Sequence, residues 1–183
     1  MAITTDPTEP FDMTEPMENI GVVTDWCEVS DWKTPDQPRF LFGNKTIAPV
    51  FGDRIEIHGA LGYQHWGIYF GKNKLCNFAG VDKPTGKIEP DKLTDPLNNM
   101  QVFFSELSLI IGKSKARINN EDDIQDDFTP ATRDTVMKRI EKFMDTRPIT
   151  NKCEHFTNYC RYEKHVSNQK AVEAFGFLVK AML

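Results

Sequence analysis

The 183-residue sequence predicts an α+β domain in which an antiparallel sheet packs against helices. Two observations indicate this fold class. Segments with the patterning of strands fall within residues 54–78, whereas helical patterning and helix-capping signals fall mainly after residue 128. Because strands come first and helices later, the chain lacks the strand–helix alternation that is typical of a parallel sheet.

Three strands are predicted in the first half of the domain. Residues 54–58 alternate polar and apolar side chains, which indicates a strand with one buried face. Residues 65–70 and 75–78 are the next two strands, joined by a turn at 71–74, so we expect them to form a hairpin. Residues 102–104 and 107–111 supply further β-like or buried segments.

Helical signals follow in the second half. Thr129 and Pro130 suit the N-cap and the first turn of a helix that Pro148 would stop. Apolar side chains recur on one face of this helix, at offsets of four, seven and eight: Val136, Ile140, Phe143 and Met144. A second helix is expected after Asn151 and a third after Ser167.

The chain divides into three predicted parts. Residues 1–48 form an acidic, proline-containing leader that we expect to be mobile, although Trp26 and Trp32 could dock onto the domain or onto a protein partner. Residues 49–170 are predicted to form the main folded domain. Residues 171–183 are predicted to be an apolar helix that either lies on a membrane surface or closes the core. Even from Ser167 it would reach only ~25 Å, short of the ~30 Å hydrocarbon core of a bilayer.

Charge and cysteine usage exclude several classes of function. The net charge of −5 and the lack of a large basic block argue against nucleic acid as the main partner. The four cysteines show no CxxC pair, so neither a zinc site nor a disulfide framework is expected, and no cofactor is predicted. An acidic N-terminus without a signal-peptide pattern predicts a cytoplasmic protein. Peripheral binding of this protein to intracellular membranes stays open.

Cys153 is the candidate nucleophile. Asn151 can cap a helix, and Glu154 three residues later completes a capping box. Cys153 then lies in the first turn, where unpaired N–H groups, the helix dipole and Lys152 all favour a thiolate. The alternative is a cysteine that serves as a small buried apolar side chain.

His65 is the candidate general base among the four histidines. It begins a predicted strand, whereas His155 lies too close to Cys153 on the same helix to share its face. Asn77 could accept a hydrogen bond from the imidazole and fix its tautomer, but whether Asn77 and His65 share a face depends on the register of the hairpin. The alternative is a histidine with satisfied hydrogen bonds in the core.

Two sequence blocks resemble the conserved boxes of lecithin:retinol acyltransferase-like proteins. Residues 52–57 with 63–71 (Tyr-Gln-His-Trp-Gly-Ile-Tyr-Phe-Gly) resemble the histidine box, and residues 152–156 (Lys-Cys-Glu-His-Phe) with 161–162 resemble the Asn-Cys-Glu-His-Phe box. Residues 118–122 resemble the asparagine-containing strand end of the HRAS-like suppressor branch. The resemblance covers about residues 49–170.

The resemblance implies a circularly permuted papain-like (NlpC/P60) fold with the nucleophile at a helix N-terminus. It implies a phospholipase A or acyltransferase that moves an acyl chain from a glycerophospholipid through a Cys153 thioester to water, an amine or a lysolipid. His65 would be the base, and Tyr63 would support the oxyanion. Two positions depart from the family pattern: Asn77 replaces the usual histidine, and Lys152 replaces the asparagine before the cysteine.

Two other classes of function stay open. A non-catalytic or weakly catalytic protein-interaction module would use the same fold, as in picornaviral proteins that carry the same boxes, and would fit the leader with its two tryptophans. A cysteine peptidase or amidase would fit the NlpC/P60 superfamily. Retention of both Cys153 and His65 favours catalysis over binding alone.

Overall fold

The structure, a computed structural model, describes residues 18–58, 64–81, 99–146 and 153–165. Several predictions lie outside these residues: the first part of the leader, Tyr63, the cap at Asn151 with Lys152, the helix expected after Ser167, and the apolar segment 171–183. No helix within the four described ranges is long and apolar enough to cross a membrane.

The described residues form seven strands and three α-helices. In chain order they are β1 (Phe40–Phe42), β2 (Lys45–Ile47), β3 (Arg54–His58), β4 (Gln64–Gly71), β5 (Lys74–Val81), β6 (Asn99–Glu106), α1 (Leu107–Ile111), β7 (Lys115–Ile118), α2 (Arg133–Thr146) and α3 (Cys153–Tyr162). The predicted α+β class with an antiparallel sheet is confirmed, and so are the three strands and the β4–β5 hairpin.

The main sheet has five antiparallel strands in the order β6-β5-β4-β3-β7, and β1 and β2 form a separate two-stranded sheet. Alternation along the strands separates two cores. One face carries Ile55, Ile57 and Leu75 and packs against α1 and residues before β1. The opposite face carries Ile68 and Phe78 and is covered by α2 and α3.

The prediction of a mobile leader is wrong for residues 18–48, because this stretch packs against the sheet. The backbone of Cys27 bridges Ala116 of β7 and that of Val23 bridges Asn119 just after β7, and the edge of the five-stranded sheet is thereby covered. Trp32 and Phe40 are buried in the same core as β3 and β7. Trp26 packs on Arg117, with the guanidinium 4.5 Å from the ring centroid. Both tryptophans therefore contact the domain itself.

The start of α2 also differs from the prediction. The helix begins at Arg133 rather than next to Pro130. The residue before it, Thr132, caps the helix, because both of its oxygens accept hydrogen bonds from N–H groups of the first turn. The Thr132 carbonyl accepts the N–H of Val136 at 3.0 Å, and its hydroxyl accepts the N–H of Thr135 at 3.4 Å. Ala131, just before this cap, donates its N–H to the carbonyl of Arg161 in α3.

Phe40→Ala tests whether the segment before β3 belongs to the folded core. Phe40 is fully buried, whereas its neighbour Leu41 is 44% exposed. We expect Phe40→Ala to lower the free energy of unfolding by about 3–5 kcal/mol because it leaves a cavity. Leu41→Ala is the matched control and should change stability by less than about 0.5 kcal/mol. Equal urea midpoints for both variants would contradict the packing of this segment.

Candidate active site

The candidate site lies where β4 and β5 separate. β4 begins at Gln64, but its pairing with β5 begins only at Gly67, which lies opposite Asn77. The Tyr69 N–H donates to the carbonyl of Asp53, which directly precedes β3. Because successive N–H groups of a strand point to opposite sides, the N–H of Trp66 points toward β5. Within the described residues, no strand pairing with β5 is formed by residues 64–66.

Cys153 fills this gap with its thiol. The Trp66 N–H donates to Cys153 Sγ at 3.3 Å, and the thiol lies 3.8 Å from the carbonyl oxygen of Gln64, to which it can donate weakly. Cys153 is the first residue of α3 and is buried. The sulfur thus takes backbone contacts that the neighbouring strand would otherwise make, and it does so on both sides of His65.

His65 and Asn77 share one face of the sheet, which settles the register that the sequence left open. His65 Nε2 lies 2.8 Å from Asn77 Oδ1. The amide nitrogen of Asn77 donates to the Leu75 carbonyl at 3.0 Å and contacts Ser105 Oγ at 2.8 Å. Because a carbonyl only accepts hydrogen bonds, the Asn77 oxygen must face His65, and His65 therefore carries its proton on Nε2.

The electrostatics of His65 favour a neutral imidazole. Burial lowers the pKa of His65 to about 4, and the hydrogen bond to Asn77 opposes that shift only in part. Its other nitrogen, Nδ1, is buried and has no hydrogen-bond partner among the described residues. A neutral ring with its proton on Nε2 leaves a lone pair on Nδ1, so this atom can accept a proton.

The far end of α3 is held by a buried polar cluster. Arg161 forms a two-point ion pair with Asp123, with distances of 2.8 and 2.6 Å, and also donates to the carbonyl of Gly52 at 2.6 Å. Tyr162 donates its hydroxyl to Asp123 at 2.7 Å, and burial raises the pKa of this hydroxyl, which keeps it a donor. These contacts fix α3 relative to β3 and so help to set where Cys153 meets β4.

Arg54 joins this cluster to the strand that carries the site. Its guanidinium pairs with Asp122 and lies 4.7 Å from the centroid of the Trp66 ring and 5.5 Å from that of Tyr162. The asparagine-containing strand end after β7 contributes Asn120, whose oxygen accepts the Arg54 N–H at 3.0 Å. Residues 119–123 thus hold β3 and α3 together.

The structure places three of the four predicted site residues around the start of β4. Cys153 contacts the backbone of Gln64 and Trp66 on either side of His65, and His65 contacts Asn77, whereas Tyr63 lies outside the described residues. The sequence prediction missed Ser105 and the Trp66 N–H. Ser105 directly follows the apolar residues 102–104 of β6 and precedes Glu106, so its position in the sequence carried no signal of its burial.

Comparison with known proteins matches the chain to a family. Residues 48–166 match the family model described as lecithin retinol acyltransferase. The chain belongs to the lecithin retinol acyltransferase family. The family match starts at residue 48, so β1 and β2, which end at Ile47, lie outside it.

Several similar relatives of this family member are phospholipase A and acyltransferases. It is 32% identical over 125 residues to human phospholipase A and acyltransferase 2, covering 66% of this chain and 75% of that protein. It is 31% identical over 143 residues to human phospholipase A and acyltransferase 1, covering 73% and 81% respectively. The mouse phospholipase A and acyltransferase 3 is 30% identical over 134 residues, with 70% and 81% covered.

The lowered pKa of His65 can be checked by titration. Because the folded pKa of about 4 lies below the unfolded value of ~6.5, the contribution of His65 to stability is complete above pH 6.5 and is lost as the pH falls toward 4. In ¹⁵N NMR spectra of the imidazoles, we expect His65 to stay a neutral Nε2–H tautomer from pH 8 to 5. Protonation of His65 near pH 6.5 would contradict the buried, Asn77-bound geometry.

Proposed function

We propose that this protein is a thiol-dependent phospholipase A or acyltransferase, with Cys153 as nucleophile and His65 as general base. The observation that carries the proposal is the contact of Cys153 Sγ with the backbone on both sides of His65, in a chain of the lecithin retinol acyltransferase family. The names of its relatives, phospholipase A and acyltransferase, support a phospholipid substrate. We propose that the protein takes this substrate at a membrane surface.

The first half-reaction is acylation. The Cys153 thiol gives its proton to His65 Nδ1, and the thiolate attacks the carbonyl carbon of a phospholipid ester. The bond between that carbon and the glycerol oxygen then breaks. The imidazolium returns the proton to the leaving oxygen, so the products are a lysophospholipid and a Cys153 thioester. The lone pair on buried Nδ1 and the Asn77 bond at Nε2 support this role for His65.

The second half-reaction releases the acyl chain. Water that gives a proton to His65 attacks the thioester, and a fatty acid and the free thiol result, which is phospholipase A activity. An amine or the hydroxyl of a lysolipid that attacks in the same way accepts the acyl chain, which is acyltransferase activity.

Two features support stabilisation of the charged species. The Trp66 N–H at 3.3 Å favours the thiolate, and Cys153 also lies at the start of α3, where the helix dipole favours an anion. Tyr63, two residues before His65, is proposed to support the oxyanion.

We also propose that the chain has the circularly permuted papain-like topology, with the base before the nucleophile in sequence.

A cysteine peptidase or amidase is the second candidate. The arrangement of Cys153, His65 and Asn77 has the residue types of the Cys-His-Asn constellation in papain-like proteases. Both candidates pass through an acyl-enzyme, and they differ in whether an ester lipid or an amide is the donor. A third outcome, interaction with a protein partner without turnover, would leave the thiol unacylated by either donor.

Acyl transfer to Cys153 is tested by intact mass. After incubation with vesicles of phosphatidylcholine carrying labelled acyl chains, we expect one acyl adduct on the wild-type protein and none on Cys153→Ala. Cys160→Ala is the matched control, because Cys160 lies on the same helix but is buried in the core with a raised pKa. It should retain the adduct.

The same samples decide among the candidates. Absence of both adduct and released fatty acid from the wild-type protein would contradict the lipid function. An adduct formed only from a peptide or an acyl-amide donor would favour the peptidase or amidase.

A further inference from the structure

Asn77 is held between two strands by polar side chains on both sides. On β4, His65 Nε2 lies 2.8 Å from its oxygen, and on β6, Ser105 Oγ lies 2.8 Å from its nitrogen. The carbonyl of Leu75 accepts the remaining amide hydrogen of Asn77. Leu75 lies two residues before Asn77 on β5. Asn77 is fully buried, and Ser105 is 7% exposed.

Each hydrogen bond of this amide has a separate effect. The Leu75 carbonyl decides which end of the amide faces His65, but it belongs to the same strand as Asn77. Ser105 connects the amide to β6, on the side away from His65. Since a buried amide hydrogen without a partner is costly, Ser105 penalises a tilt of the amide that would break this bond and shift the Asn77 oxygen relative to His65.

We propose that Ser105 is a positioning residue for His65 and acts through Asn77. This inference rests on the proposed role of His65 as the base. Ser105 Oγ accepts from Asn77, Asn77 Oδ1 accepts from His65, and His65 Nδ1 is left to take the thiol proton. The three side chains form one line across β6, β5 and β4 that ends at the gap where Cys153 is seated.

The role of Ser105 makes an asparagine effective at this position. Unlike a histidine ring, an amide can present either oxygen or nitrogen to its neighbour, and the wrong orientation would place an N–H against the Nε2 proton of His65. The Leu75 carbonyl, which can only accept, excludes that orientation. Ser105 Oγ accepts the second amide hydrogen in the correct orientation and so holds the amide in place.

Removal of the Ser105 hydroxyl tests the inference. We expect Ser105→Ala to slow both alkylation of Cys153 by iodoacetamide at pH 7 and acyl transfer from phosphatidylcholine vesicles by about 3- to 10-fold, the equivalent of one hydrogen bond. Ser105→Thr, which retains a hydroxyl, should recover most of the rate, whereas Ser105→Val, which has the shape of threonine but no hydroxyl, should not. Thermal unfolding of each variant shows which of them are folded, and only folded variants are compared.

A double-mutant cycle separates positioning from a general loss of structure. If Ser105 acts through Asn77, Ser105→Ala should have little further effect on the alkylation rate in an Asn77→Ala background. Additive losses in the two variants, or wild-type alkylation by Ser105→Ala, would overturn the inference.

The two readouts also distinguish this inference from the proposed function. A wild-type protein that transfers no acyl chain from phosphatidylcholine, but whose alkylation slows in Ser105→Ala and recovers in Ser105→Thr, would contradict the lipid function and support the role of Ser105.

Discussion

The early separation of β4 from β5 is the constraint on which the candidate site depends. The two strands pair up to Gly67 and Asn77, and beyond that point the thiol of Cys153 contacts the backbone of β4. A regular ladder would bury these backbone groups against another strand and would leave no room for a sulfur atom beside His65. Separation of the strands therefore creates a buried position where the first residue of α3 contacts the backbone on both sides of His65.

The rest of the fold holds these elements at that position. Gly67 stands at the last paired position, and a Cβ there would lie 2.6 Å from Leu75 Cγ, so a side chain would push β5 away from β4. At the other end of α3, Arg161 and Asp123 form a fully buried ion pair. Moving the helix would break this pair and leave an uncompensated buried charge, which is strongly destabilising. The ion pair therefore favours a single placement of α3. The placement of Cys153 thus depends on contacts at both ends of α3.

Much of the architecture could be predicted from the sequence, because the signals were local. Alternation at 54–58, the apolar runs around the turn at 71–74 and the 3.6-residue period of α2 each reflect one element alone. The family boxes also identified His65 and Cys153. Three features needed the assembled fold: the register that puts Asn77 beside His65, the contact of Ser105 across β6, and the ion pair of Arg161, a residue type that local rules place on the surface.

The segment before β3 shows why composition alone can mislead. Prolines and acidic residues predict a stretch that cannot form a core of its own. Residues 18–48 instead complete a core that belongs to the sheet, through the buried side chains of Cys27, Trp32 and Phe40. Few apolar residues suffice when the surface that receives them is already formed.

The amide resonance of Trp66 is the most direct measure of whether the Cys153 thiol ionises in the strand gap. Because the Trp66 N–H donates to Cys153 Sγ, its ¹H and ¹⁵N shifts should follow the charge on the sulfur. We expect the Trp66 amide to follow a titration of the Cys153 thiol with an apparent pKa below the ~8.5 of a free thiol. That titration should disappear in Cys153→Ala. A Trp66 amide that titrates at or above ~8.5, or that keeps its titration in Cys153→Ala, would contradict the account.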